Sequence, residues 1–323
     1  MTVFYQLAVT IALALAVCAG AVHYFRTVRA ARPPVGVFNG RDIFVIMGFV
    51  LALPYVYLAL PGGVLPAVLA LVFAGGLSVG YRPVIGDGRL RWALIAVLIA
   101  GVFAAHLAFG ELAAPYWIAN SCVVGLVVVS ATNLNVQGGM RLRNVAWFLL
   151  ALTLYDAFFA WVVPLTEELS EAVQGYPFAP AAGLRIGDDL GAVVGMGDLL
   201  AYALFTTTAY KAYGKAGLRT GIALVLLFGA VAPVVTLHVV GVVTGHVPAV
   251  MPAQVFFGPA AFIGYLLLRR RGPERRMAEI VFGRERLGAP RQAPARTAQA
   301  PARTAQAPAA AEPGPAAEVT VAR

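Results

Sequence analysis

Long apolar runs follow one another through most of this 323-residue chain, from Val3 to Leu268. Each run approaches the roughly 20 residues that an α-helix needs to cross the hydrocarbon core of a bilayer. Only 12% of the residues are charged, about half the share in an average soluble domain. A backbone in lipid must satisfy its hydrogen bonds internally. We therefore expect an all-α integral membrane protein.

Nine candidate membrane spans can be placed in the apolar region. They cover residues 3–24, 43–60, 64–81, 92–110, 115–132, 144–164, 190–210, 220–243 and 247–268. Pro61, Gly62 and Gly63 alone separate the second span from the third, which predicts a tight helical hairpin.

The basic residues of the connecting loops are distributed unevenly. Twelve Lys or Arg residues fall in the odd-numbered loops, whereas the even-numbered loops hold only Arg185. The positive-inside rule then predicts an N-terminus outside and a C-terminus in the cytoplasm, which an odd number of spans allows. The same placement accounts for the net charge of +9, so nucleic-acid binding is not expected.

Two regions differ in composition. Residues 1–268 form the predicted transmembrane domain, with the first five helices in 1–143 and the last four in 144–268. Residues 269–323 form a cytoplasmic tail, and its basic start, 269–276, suits anionic lipid headgroups. Residues 292–298 recur at 299–305, and this Ala/Pro-rich composition predicts disorder. No N-x-Ser/Thr acceptor occurs, which favours a prokaryotic cytoplasmic membrane.

The cysteines and histidines do not suggest a metal or a disulfide. Cys18 and Cys122 both fall inside apolar runs and form no CxxC pair. None of the four histidines has a second ligand at helical spacing. We therefore expect neither a metal nor another cofactor.

Of the fifteen acidic residues, only Asp156 and Asp198 lie well inside candidate spans. A charge at mid-bilayer costs at least about 2.5–3.5 kcal/mol, and such residues are usually functional. Each aspartate lies eight residues from the outer end of its span, or roughly 12 Å along a helix. Two carboxylates at one level can share a proton and activate a water for peptide hydrolysis.

The residues beside the two aspartates form a pattern. Tyr155 precedes Asp156, while Gly195 and Gly197 precede Asp198 in a Gly-x-Gly-Asp motif. The glycines remove side chains beside the acid, which permits close helix approach and access for a substrate strand. Tyr-Asp on one span followed by Gly-x-Gly-Asp on the next resembles the presenilin and signal peptide peptidase family of intramembrane aspartyl proteases. The resemblance implies nine transmembrane helices and a catalytic Asp156/Asp198 dyad beside Tyr155.

That family carries a third motif, Pro-Ala-Leu, at the start of its ninth helix. Pro252-Ala253-Gln254 stands at the corresponding place, followed by Pro259-Ala260 at a spacing similar to that of signal peptide peptidase. The resemblance implies that Pro252, Ala253 and Gln254 shape the active site, although Gln254 replaces the family leucine. Pro248-Ala249-Val250 is the alternative match.

The loop between the two aspartate spans indicates the substrate class. Residues 165–187 carry three glutamates and one arginine, which places this loop outside. That is the orientation of signal peptide peptidase. The resemblance therefore implies substrates whose helices have cytoplasmic N-termini, such as leftover signal peptides. Tyr176-Pro177-Phe178 in this loop could order near a substrate or be a plain connection.

Three other functions compete with this interpretation. Prepilin peptidases also use Gly-x-Gly-Asp, but usually with a lysine where this chain has Leu200. A proton-coupled transporter could use both aspartates as a relay, yet no internal repeat is visible. A catalytically silent homologue remains open because of Gln254.

Overall fold

The computed structural model describes residues 2–29, 40–61, 64–161, 177–186, 190–245 and 251–275. This part of the chain is mostly helical, as its hydropathy predicts. Five of the described helices are long and apolar enough to cross a membrane. The chain is therefore a multi-pass membrane protein, while the count of nine spans and the orientation stay predictions. The tail from residue 276 onwards lies outside the described residues.

Nine helices and one β-hairpin make up the described part. They are α1 (Thr2–Thr27), α2 (Gly40–Ala59), α3 (Leu65–Gly80), α4 (Gly88–Phe109), α5 (Ala114–Gln137), α6 (Leu142–Trp161), β1 (Ala181–Ile186), β2 (Leu190–Gly195), α7 (Met196–Tyr213), α8 (Lys215–Thr244) and α9 (Gln254–Arg269). The five candidate spans are α1, α4, α5, α6 and α8, whereas α3 and α9 are shorter apolar helices.

The predicted seventh span is wrong over its first six residues. Leu190–Gly195 forms strand β2, which pairs antiparallel with β1, and α7 begins only at Met196. Periodicity cannot separate a short apolar run in a strand from one in a helix. The sequence Gly187-Asp188-Asp189 between the two runs is the turn composition that would have indicated a hairpin.

Helix α5 fixes the outer edge of strand β1. Asn120 Nδ2 donates hydrogen bonds to the carbonyl oxygens of Ala179 (3.1 Å) and Ala181 (2.7 Å). The Ser121 hydroxyl donates to the Gly183 carbonyl and accepts from the Gly183 N–H, both at 2.9 Å. These bonds satisfy edge groups that would otherwise be costly to bury.

Phe178 anchors the entry to the hairpin. It has a positive φ of 73°, which is uncommon for a residue other than glycine. Its ring is buried and lies edge-on to those of Phe103 (5.0 Å) and Phe73 (6.3 Å). Phe178 therefore belongs to the core and is no free substrate contact. Tyr176, the other aromatic of this loop, lies outside the described residues.

Helices α6 and α9 approach each other closely at Gly258. A Cβ atom at this position would lie 2.5 Å from the carbonyl oxygen of Leu149, and closer still to the hydroxyl of Thr153. Only a glycine allows the two backbones this separation, a common use of small residues in membrane helices.

Helix α8 contains a π-helical segment, Val225–Val231. Gly229 in this segment lies against Tyr202 of α7, because a Cβ there would meet the phenol ring at 2.8 Å. The Tyr202 hydroxyl donates to the Gly229 carbonyl at 2.8 Å. The widened turn is thus satisfied by a side chain from α7, and such π segments often mark functional regions.

Lys211 was counted among the basic residues of a loop, but its side chain is buried. Its ammonium group donates to the Val136 carbonyl at 3.0 Å and to the Met140 carbonyl. These carbonyls lie at and just beyond the C-terminus of α5, where a cation is favourable.

Residues 272–275, which we name the clasp, tie α6, α7 and α9 together. The Glu274 carboxylate accepts hydrogen bonds from the backbone N–H groups of Leu142 (3.2 Å) and Arg143 (3.0 Å), at the start of α6. Arg275 donates to the carbonyl oxygens of Tyr210 and Ala212, both at 3.2 Å, near the end of α7. Arg275 therefore contacts protein rather than only lipid headgroups.

Candidate active site

The two aspartates come together at the start of α9. Asp156 lies on α6 and interacts electrostatically with Asp198 of α7. Gln254 contacts both. Its Nε2 donates to Asp198 Oδ1 at 2.8 Å, and its backbone N–H interacts electrostatically with the Asp156 carboxylate. A single residue of α9 therefore interacts with both members of the predicted aspartate pair.

Two helix N-termini point at this pair. Helix α7 begins at Met196, so Asp198 lies in its first turn, and α9 begins at Gln254. The first N–H groups of a helix have no partner within the helix, and the N-terminus carries a partial positive charge. Both effects stabilise a negative charge in an apolar environment. The site can hold a carboxylate without an adjacent lysine or arginine.

The two glycines of the Gly-x-Gly-Asp motif have different roles. Gly195 is the N-cap of α7, and a Cβ there would lie 3.3 Å from Asp198 Oδ2. A side chain at this position would crowd the carboxylate. A Cβ at Gly197 would meet no described atom within 4 Å. Close helix approach is therefore not its role, and Gly197 leaves an open face beside the acid.

Tyr155 lies beside the dyad. Its ring packs against that of Phe159, with centroids 4.7 Å apart, and its hydroxyl interacts electrostatically with Asp156. Its part in the site stays a prediction.

Pro252 and Ala253 set the point where α9 begins. Both are buried, and Ala253 is the N-cap of the helix. The Pro252 carbonyl accepts from the N–H of Val255 at 3.3 Å, and the Ala253 carbonyl from that of Phe257 at 3.1 Å. The N–H of Gln254, at the first residue of the helix, interacts electrostatically with Asp156. The role of Pro252 and Ala253 in shaping the site stays a prediction. The alternative motif at Pro248 lies outside the described residues.

Two further residues of the site were missed in the sequence. Tyr202 follows Asp198 by one helical turn, and its hydroxyl interacts electrostatically with both aspartates. The hydroxyl of Thr153, on α6, lies 3.0 Å from the Gln254 carbonyl oxygen. Their spacing was the available signal. Tyr202 lies four residues after Asp198 and Thr153 lies three residues before Asp156, so each shares a helix face with its aspartate.

The arrangement contains groups that general acid–base chemistry uses, two carboxylates that interact electrostatically. Within the described ranges, no three His, Cys, Asp or Glu side chains gather as they would around a metal ion.

Comparison with known proteins adds no assignment. The sequence matches no model of a known protein family, and no curated protein matches it. The family resemblance therefore rests on the sequence motifs alone.

Proposed function

We propose that the protein is an intramembrane aspartyl protease that hydrolyses peptide bonds of transmembrane or signal-peptide helices. The meeting of Asp156 and Asp198 at two helix N-termini, inside a multi-pass membrane protein, carries this proposal. Two aspartates scattered for structural reasons would not be expected to interact with the same residue, Gln254.

The reaction needs one ionised and one protonated aspartate. The ionised carboxylate removes a proton from a water, whose oxygen attacks the carbonyl carbon of the peptide bond. The protonated carboxyl donates its proton to the carbonyl oxygen, giving a neutral tetrahedral intermediate. A proton then passes to the amide nitrogen as the C–N bond breaks, which releases a carboxylic acid and an amine. No cofactor takes part.

A helical substrate must become extended before its peptide bond can reach the carboxylates. Strand β2 ends at Gly195, three residues before Asp198, and about half of the surface of its residue Val193 is exposed. An extended segment can add to such a strand through main-chain hydrogen bonds. Gly197 directly precedes Asp198 in the chain, and a Cβ atom there would meet nothing within 4 Å. This open space could admit the extended segment beside the acid.

The proposal includes an orientation and a membrane. With the N-terminus outside and the C-terminus in the cytoplasm, the substrates are helices with cytoplasmic N-termini, in a prokaryotic cytoplasmic membrane. The exposed arginines 269, 270 and 271 then face the cytoplasmic leaflet, where anionic lipids attract them. Arg275 is held in the clasp, and Arg276 lies outside the described residues.

Cleavage of a fluorogenic transmembrane peptide tests the proposal. The protein is purified in detergent beside Asp156→Asn and Asp198→Asn, with Asp87→Asn as the control. Asp87 is the N-cap of α4 and is remote from the dyad in the chain, and asparagine is an equally good N-cap. We expect the wild type and Asp87→Asn to cut at one site, identified by mass spectrometry, and both dyad variants to be inactive but folded.

The other outcomes separate the competing functions. Equal cleavage by the dyad variants would assign the activity to a contaminant and refute the dyad. Proton-coupled solute uptake by the wild type in proteoliposomes, without cleavage of any helical peptide, would favour the transporter. A folded wild-type protein that binds helical peptides and cuts none would favour the silent homologue.

A further inference from the structure

Gln254 occupies the position where the resembled family has a leucine, and it makes contacts that a leucine cannot make. Only 3% of the residue is exposed. Its Nε2 donates to Asp198 Oδ1 at 2.8 Å. When Asp198 is the ionised member of the pair, the reversed amide would place an oxygen against a carboxylate oxygen, so the amide then presents its donor to the aspartate.

The backbone of Gln254 is fixed as firmly as its side chain. Its N–H interacts electrostatically with the Asp156 carboxylate, and its carbonyl oxygen accepts a hydrogen bond from the Thr153 hydroxyl at 3.0 Å. Thr153 belongs to the same helix as Asp156. Both main-chain groups of Gln254 are therefore held by α6, while its side chain reaches across to α7.

The other end of the amide has a different environment. Gln254 Oε1 is buried, and none of the described residues donates a hydrogen bond to it. A buried amide oxygen normally has a partner. Because Oε1 belongs to the same planar amide as Nε2, it is held within a short distance of the Asp198 carboxylate.

We propose that Gln254 is a positioning residue for the hydrolytic water. Its side-chain N–H fixes the rotamer of Asp198. Its Oε1, which is closed to solvent in this structure, accepts a hydrogen bond from the attacking water once that water enters the site. The water gives one proton to the dyad. Its second O–H stays intact and donates a hydrogen bond to Gln254 Oε1, so that a lone pair of the water oxygen is directed at the carbonyl carbon. Gln254 forms no covalent bond and gains no net proton. This inference rests on the proposed protease function.

The experiment replaces Gln254 by the residue that the resemblance would suggest. Gln254→Leu and Gln254→Met, the second of nearly the same length, are assayed with the transmembrane peptide beside the wild type. Gln137→Met is the control. Gln137 is a buried glutamine at the last position of α5, and its side chain donates to the Val28 carbonyl. Thermal unfolding in detergent reports whether each variant is folded.

We expect kcat to fall by about tenfold to a hundredfold in both Gln254 variants, the value of one hydrogen bond to a charged group. KM should change less than about twofold, because the water and not the substrate loses its partner. Gln137→Met should keep the wild-type kcat. Gln254→Met preserves the packing volume and keeps the test valid if the leucine variant does not fold.

Either of two results would overturn the inference. One is a folded Gln254→Leu or Gln254→Met enzyme with the kcat of the wild type. The other is a loss confined to KM, which would make Gln254 a substrate contact. The dyad variants keep the two proposals apart. If Asp156→Asn and Asp198→Asn are inactive while the Gln254 variants cut normally, the protease stands and only this inference fails.

Discussion

Replacing Gly258 by alanine should disturb the dyad through the packing of two helices. The added Cβ would lie 2.5 Å from the Leu149 carbonyl oxygen, whereas real Cβ contacts are essentially never shorter than 3.0 Å. A backbone oxygen cannot rotate away, so α6 and α9 must separate by at least about half an ångström. The Thr153 hydroxyl, which lies closer still, has to move as well.

The cost can be divided into stability and activity. Overpacking costs about 1–3 kcal/mol, and replacing glycine in a helix returns about 1 kcal/mol. We therefore expect a net loss of only about 1 kcal/mol. The separation acts directly on the site, because α6 carries Asp156 and α9 begins with Gln254. A displacement of 1 Å can cost about a hundredfold in rate, so half of that should cost about tenfold.

The assay compares peptide cleavage and thermal unfolding in the same detergent. Gly101→Ala in α4 is the control, since a Cβ there would meet nothing within 4 Å. It should gain a little stability and keep its activity. A Gly258→Ala protein with the wild-type rate and melting temperature would refute the claim that this contact sets the geometry of the dyad.

The remaining predictions concern pH, the hairpin and the clasp. If the dyad shares one proton, cleavage should follow a bell-shaped pH profile whose two apparent constants belong to the pair, and a rate that only rises with pH would contradict this. Ser121→Ala leaves both main-chain groups of Gly183 without their partner. It should lower stability by about 1–3 kcal/mol in thermal unfolding, and a smaller loss would mean that water replaces the hydroxyl. Glu274→Gln keeps the acceptor oxygen but removes the charge at the start of α6. It should cost about 0.5–1 kcal/mol at low salt and less at high salt, so a salt-independent loss would argue against a charge effect.

The pairing of the two aspartates could be predicted from hydropathy and from their rarity in apolar spans. The common depth predicted for the two aspartates assumed a helix from residue 190. Instead, Leu190–Gly195 is a strand, and Asp198 lies in the first turn of α7. A strand and a helix look alike in a run of six apolar residues.

The polar contacts of the site could not be read from the sequence. Gln254 looked like a departure from a motif, and nothing in its neighbours in the chain indicates that both its N–H groups face carboxylates on other helices. Lys211 was counted as a loop charge, although it caps α5 from within the protein. Such contacts depend on which helix faces lie together, and hydropathy does not specify helix rotation.

The clasp moves the boundary of the folded unit beyond the last helix. A truncation designed from hydropathy would stop near Arg269, where α9 ends, and would discard Glu274 and Arg275. The start of α6 would then lose Glu274, and the end of α7 would lose Arg275, as hydrogen-bond partners. A shortened protein for crystallisation or labelling should therefore retain Arg275, and affinity tags or fluorophores belong after it.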